Sequence, residues 1–356
     1  MIADNMSING DSNNDQLTAD EIALYDRQIR LWGITTQLRL RTTKILIINF
    51  KGIGTEIVKN LVLGGINTIE ILDDSIIKPE DFTCQFFLPN NDEIIGELKL
   101  PHVVDNIREL NNRVNLNINT QTLYDMKDDY FKKFDLIIGT ELNKKDMIYI
   151  NEISRNLNIP LYLSGTHGMF GYIITDLIKH ESTKEQNIGN VKRIIGTKLS
   201  LHKTISQIEK ISGEDEKELV TITDEFSPIK TIFNSKKLKD QLTKRQFKRI
   251  SPSFPIIFAL LDIEKPENVE DDVSIELLKR KTLEVCKDLE IPPELITDDY
   301  FQLLSHQAFT EFAPVTAILG GALSQDVIQF LSKKESPINN VLILDSVKSE
   351  MPIYQL

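Results

Sequence analysis

Arg27 and Arg30 lie three residues apart in the segment Tyr25-Asp26-Arg27-Gln28-Ile29-Arg30-Leu31-Trp32-Gly33. On a helix that spacing puts both guanidinium groups on one face, beside the amphipathic Tyr25 and Trp32. A guanidinium is a planar fork of donors that matches phosphate oxygens, so an outward pair can serve a phosphate. Ion pairing with Asp26 or Glu21 is the plainer use of the same residues. A second stretch with chemical content runs from Lys44 to Asp74. There Gly52 and Gly54 follow an apolar run, and Asp73 comes about twenty residues after Gly54, where a dinucleotide fold carries its ribose acid. The neighbouring positions, however, hold Asn49 and Lys51. A side chain at Lys51 intrudes where a phosphate oxygen would sit. Taken alone, Gly52 and Gly54 therefore read as serving a tight turn and close helix packing.

The other reactive side chains have no partners nearby in sequence. Cys84 lies in Asp81-Phe82-Thr83-Cys84-Gln85 with no base to lower its thiol pKa, and Cys286 sits in mid-helix. Both read as structural. His167, in Ser164-Gly165-Thr166-His167-Gly168, follows a strand but has neither a paired acid nor a nucleophile. The five histidines show no metal spacing, and there is no CxxC pair.

The elements that must position these residues follow from periodicity. Lys44–Asn49 and Thr68–Leu72 are short β-branched runs of the buried parallel type, and Thr55–Leu63 between them has helical spacing closed by Gly64 and Gly65. Strand patterns recur at Asn115–Thr120, Phe134–Gly139, Ile159–Ser164 and Gly171–Leu177, with helical patterns at Lys99–Asn111 and Lys145–Leu157. This alternation predicts an α/β fold with a doubly wound, mostly parallel sheet. Thr18 and Glu21 form a capping box that opens the helix carrying Arg27.

Residues 1–16 read as a polar, disordered tail, residues 17–180 as the first part of the sheet domain, and 305–356 as the return to it. Between them, 181–304 reads as a largely helical insertion, polar and mobile over 181–225 and strongly basic over Lys236–Arg249. The basic run is a solvated helix face, a nuclear-import patch or a site for an acidic partner. Ser274–Leu289 is amphipathic, Phe312–Leu331 is an apolar helix, and Val341–Leu344 is a strand.

With 356 residues, 41% hydrophobic and 26% charged, the chain is expected to be globular and soluble, with a substantial core. A net charge of -12 argues against nonspecific nucleic-acid binding. No signal peptide, transit peptide or long apolar run is recognisable, so no membrane partner is expected. Two isolated cysteines suit a reducing compartment.

Four segments in order carry a resemblance: Tyr25–Gly33, the Lys51–Gly65 turn and helix, Ser164–Tyr172, and Glu311–Leu331. Together they resemble the activating enzymes of ubiquitin-like modifiers, whose modules have a Rossmann-like, ThiF/MoeB-type fold. Within that family the pattern is most similar to the smaller, non-thioester subunits of heterodimeric SUMO-activating enzymes. Family members combine an active and a degenerate adenylation module, and this chain departs from the active pattern in several places. An active module carries a full glycine loop, an Asn-Leu-Asn-Arg-Gln element and an Ala-Leu-Asp-Asn sequence whose Asp helps to hold ATP and magnesium. Here Asn49 and Lys51 interrupt the loop, only Gln85 survives of the second element, and Leu142 replaces the Asp. Lys99 and Asp73 persist.

The resemblance therefore implies a degenerate half, inactive alone, in obligate heterodimer with the catalytic large subunit of a SUMO-activating enzyme. ATP and Mg2+ would be bound mainly by that partner and none by this chain alone, and SUMO would be engaged through the complex. By motif, the arginine that such subunits supply to ATP phosphates in the partner's site is Arg27. The N-terminal helix and the apolar helix near Ala313–Leu331 are the interface candidates, and the nucleus is the expected compartment. The alternatives are the regulatory subunit of a NEDD8-activating enzyme, or a self-sufficient nucleotide enzyme, either an adenylating homodimer or a dehydrogenase, using Gly52, Gly54 and Asp73.

Overall fold

A computed structural model describes residues 16–189, 192–211, 216–268 and 271–356. The tail expected over 1–16 thus lies, apart from Gln16, outside the described residues. The chain enters through α1 (Ala19–Trp32) and α2 (Ile34–Leu40). Thr18 and Glu21 cap α1 as a reciprocal box, so the first-turn donors are satisfied locally.

Short β-branched runs then build the sheet. β1 (Lys44–Ile48), β2 (Thr68–Leu72), β3 (Asn115–Asn119), β4 (Leu136–Thr140) and β5 (Leu161–His167) run parallel in the order β3-β2-β1-β4-β5. This is the doubly wound arrangement that the alternating elements predicted, and the strands around β1 end at the same edge of the sheet. β6 (Phe170–Asp176) breaks the parallel pattern and returns antiparallel along β5. Only Gly168, at φ +59°, and Met169 separate the two strands, whereas a parallel return needs a crossover of about a dozen residues.

Glu181–Glu225, expected to be mobile, instead contributes a second sheet. β7 (Lys179–Asn187), β8 (Lys203–Lys210) and β9 (Lys217–Glu225) pair antiparallel in the order β7-β9-β8. Only His180 and Ser182 are buried along β7, so that strand has no apolar stripe to betray it. The ladder and cross-strand pairs such as Thr183–Thr221 hold them, and composition does not register those. The basic run Lys236–Arg249 is not one helix. It forms two single turns, Leu238–Gln241 and Lys244–Phe247, because Leu242 is extended and Thr243 with Gln246 caps a fresh start. β10 (Val341–Asp345) then pairs with β6, and β11 (Ile353–Tyr354) forms the edge.

Both faces of the large sheet are covered. Along β1 the pleat sends Ile45 and Ile47 to one side and Leu46 and Ile48 to the other. The first side packs α3 (Gly52–Gly64) and the long helix Ala313–Ser332, and the second packs helices Ser253–Leu260, Ile275–Leu289 and Asp298–Gln307. Ala313–Ser332 is long and apolar enough to span a bilayer by composition, but half of its apolar window is buried within the protein, as befits a core helix. Gly320 lets it approach α3, since a Cβ there would stand 2.5 Å from the Glu56 Cβ.

Candidate functional site

The turn between β1 and α3 lies where a doubly wound sheet binds its ligand, beyond the carboxyl ends of the strands. Asn49 adopts φ +65°, which Asn tolerates better than most residues, and is locked to β4 from both sides. Its Nδ2 donates to the Thr140 carbonyl at 3.0 Å, and the Thr140 hydroxyl donates to the Asn49 carbonyl at 3.0 Å. The buried Asp73 accepts the Phe50 N–H at 3.1 Å and both the N–H and hydroxyl of Ser75. The acid at the ribose position is therefore occupied in holding its own turn. Gln85 donates to the Phe50 carbonyl at 3.2 Å, and Lys99 donates to the same carbonyl at 3.4 Å and to Asp81 at 2.9 Å. Lys99 is only 1% exposed, so this is a buried ion pair.

Gly52, the first residue of α3, donates its N–H to Glu311 Oε1 at 2.8 Å. A Cβ on Gly52 would come within 2.6 Å of the Cys84 Cβ, so the glycine meets a packing need in the folded chain. Glu141, at φ +53°, accepts from the Thr166 N–H and hydroxyl, each at 2.9 Å. Burial and the nearby Glu311 push the Glu141 carboxyl up to about 7, against the pull of Lys51 and Thr166. Burial likewise raises Glu311. At Lys51, burial opposes the charge, but Glu141, Glu311, Asp81 and Asp73 outweigh it and hold the ammonium above its usual pKa. Lys51 was expected to intrude on the phosphate position, and it lies among these carboxylates.

Two cavities, about 440 and 310 Å³, meet at this cluster and share Lys51, Lys265, Phe309 and Glu311 in their walls. His167 lines the larger one. Its Nδ1 accepts the Phe309 N–H at 3.1 Å, and burial lowers its pKa to about 3, so the ring stays neutral. Leu142 is buried and folds back over Gly139, where a Cβ would meet it at 2.6 Å. Among the described residues no group of three His, Cys, Asp or Glu side chains could hold a metal ion. Cys84 and Cys286 are both buried free thiols raised by burial, Cys286 to about 11, as suits structural cysteines. Sequence reading gave no role to Glu141 or Glu311. The one available signal for Glu311 was an acid immediately ahead of the apolar helix.

The arginine segment behaves differently. Tyr25 and Gln28 anchor α1 to the domain. The Tyr25 ring lies against Gly65, its hydroxyl accepts from Asn111 at 2.8 Å, and Gln28 donates to the Leu63 carbonyl. Arg30, which shares a face with Arg27, makes the plainer ion pair with Asp26 at 2.8 Å, and Arg41 pairs with Glu21. Arg27 is exposed, and its side chain has no hydrogen-bond or ion-pair partner among the described residues. One turn either way along that face are Leu24 and Leu31, 57% and 81% exposed.

A doubly wound sheet with a glycine-poor turn at its switch point, closed by internal carboxylates, defines an α/β module built on a nucleotide-binding plan. The model of the ThiF family matches residues 25–356, and the chain belongs to that family. It is 37% identical over 345 residues, 96% of this chain and 98% of the relative, to DNA damage tolerance protein RHC31 of Saccharomyces cerevisiae. It is 29% identical to SUMO-activating enzyme subunit 1 of Xenopus tropicalis, over 94% of this chain and 95% of that protein. Identity is also 29% to DNA damage tolerance protein rad31 of Schizosaccharomyces pombe, over 96% of this chain and 99% of that protein.

Proposed function

We propose that this chain is the non-catalytic subunit of a heterodimeric SUMO-activating enzyme, required with a larger partner for ATP-dependent adenylation of the SUMO C-terminus and subsequent thioester formation. The near full-length likeness to proteins named SUMO-activating enzyme subunit 1 supports the modifier and the role over the NEDD8 reading. The self-sufficient alternative is disfavoured by the site itself. Asp73 is occupied, the first N–H of α3 is taken by Glu311, and Leu142 offers nothing to a metal. ATP and Mg2+ do not fit this arrangement, and we assign them to the partner.

The observation that carries the reading is Arg27: a guanidinium held outward, unpaired among the described residues, between two exposed leucines. Apolar side chains of this exposure suit an obligate interface, and Ile318, 49% exposed on Ala313–Ser332, adds to the apolar surface available for one. Docking there would carry Arg27 towards phosphates in the partner's site without a competing internal carboxylate. Its role is to stabilise charge on the α-phosphate as the modifier's carboxylate attacks, an arginine-finger contribution of about 10³-fold by analogy with other phosphoryl transfers.

For localisation we assign the nucleus, on the exposed Lys244, Arg245, Lys248 and Arg249, which make no ion pair among the described residues. The deciding experiment for function is SUMO-dependent ATP–pyrophosphate exchange by this chain alone, by the large partner alone and by the mixture. Exchange only in the mixture is the expected result. Exchange by this chain alone would place a working site within it.

A further inference from the structure

The site around Gly52 has the parts of an oxyanion cradle, and the chain has put its own anion there. The Gly52 N–H opens a 13-residue helix and points at Glu311 Oε1, 2.8 Å away. Unpaired N–H groups and the positive end of the dipole make such a terminus favourable for an anion. Burial raises the Glu311 pKa, while the ammonium groups of Lys51 and Lys99 pull it back towards the charged form, and all three side chains line the same 310 Å³ cavity.

A second, independent feature points to a ligand. Because His167 Nδ1 accepts the Phe309 N–H, the proton of this neutral ring is assigned to Nε2. That Nε2 is buried in a side chain 2% exposed and finds no acceptor among the described residues, and His167 lines the 440 Å³ cavity. A buried donor left without an acceptor is uncommon and costly. Glu311 stands in the wall common to both cavities, with Lys51, Lys265 and Phe309.

We propose that Glu311 is an internal phosphate surrogate: its carboxylate occupies a latent oxyanion site formed by the Gly52 N–H, Lys51 and Lys99, and thereby excludes phosphate-bearing ligands from this half of the enzyme. The closure is steric, since the Glu311 carboxyl group already takes the N–H that an incoming phosphate would need. It goes beyond the loss of family motifs, because it identifies one removable group as the block. It also differs from the proposed function in what it rests on, this chain's own geometry and not the partner's chemistry.

The test is calorimetric titration of the full chain with inorganic pyrophosphate and, separately, with ATP, for wild type, Glu311→Ala and Glu311→Gln, with thermal melts to establish folding. Pyrophosphate is expected to bind folded Glu311→Ala at least about tenfold more tightly than wild type, the scale of one charge-assisted contact. Glu311→Gln keeps an acceptor for Gly52 and most of the volume but no charge, so a smaller gain is expected. Adding Lys51→Gln to Glu311→Ala should abolish the gain. A matching gain for ATP would show that the reopened cradle takes nucleotides, and a gain for pyrophosphate alone that it takes the phosphate group only. The proposal is overturned if wild type binds pyrophosphate as tightly as folded Glu311→Ala, or if neither folded variant binds more tightly than wild type. A negative result here leaves the exchange experiment unaffected, and a positive one stands whatever that experiment shows.

Discussion

Around Gly52 the charged groups point inward and are answered by other groups of the same chain, whereas on α1 the guanidinium of Arg27 points outward and is answered by none among the described residues. Two regions built from the same residue types thus have opposite design. Lys99 and Asp81 are a buried pair whose removal the fold would feel, while Arg27 and its leucine neighbours are exposed. The difference teaches where to look for function in a degenerate module. Residues that persist at the old site serve the fold, and the proposed function places the chemistry on the outward face of α1.

Substitutions can break or sharpen this contrast. The largest effect is expected inside. Lys99→Ala strands the buried Asp81 carboxylate and should lower unfolding free energy by about 3–5 kcal/mol in denaturant melts. A loss below about 1 kcal/mol, the size of a surface pair, would mean that the inward cluster is not holding the fold. Next comes the outward face. Leu31→Asp should leave the melt of the isolated chain nearly unchanged yet weaken association with the large partner by about 2 kcal/mol, roughly 30-fold. Association measured by titration at wild-type strength would remove that face from the interface.

An effect of comparable size is a pH dependence. Glu141 has a folded pKa of about 7, above the ordinary carboxyl value of 4.5, so the folded chain holds the proton more tightly than the unfolded one. Its favourable contribution is fully present below about pH 4.5 and is lost as pH rises through about 7. Wild type should therefore lose stability between pH 5 and pH 8 relative to Glu141→Gln, which lacks the titration and keeps an acceptor for Thr166. Parallel stability profiles for the two proteins would contradict the assignment.

Much of this architecture was legible in sequence because it is local. The β-branched run Lys44–Ile48, the helix closed at Gly65 in left-handed geometry, and the Thr18–Glu21 box each announce themselves within a dozen residues. The interruption of the glycine loop at Asn49 and Lys51 was likewise readable. What answers Lys51 was not. Glu311 is 259 positions from Gly52, and Glu141 reaches the turn only because β4 lies beside β1. The small sheet was missed because most of what its strands bury is polar, such as His180, Ser182, Thr223 and Asp224, and the hairpin at Gly168 because an apolar run such as Phe170–Ile174 does not declare its direction. Arg27 and Arg30 looked equivalent by spacing. The resemblance singled out Arg27, and the structure adds that Arg30 pairs with Asp26.

The most direct test of the central claim compares those two arginines in the assembled heterodimer. SUMO-dependent ATP–pyrophosphate exchange should fall by about 10³-fold for Arg27→Ala while complex formation by size-exclusion chromatography is unchanged. Arg30→Ala, which removes an exposed pair with Asp26, should stay within about twofold of wild type. Full exchange by an intact Arg27→Ala complex, or loss of assembly by that variant, would show that the outward guanidinium is not the group this chain brings to the reaction.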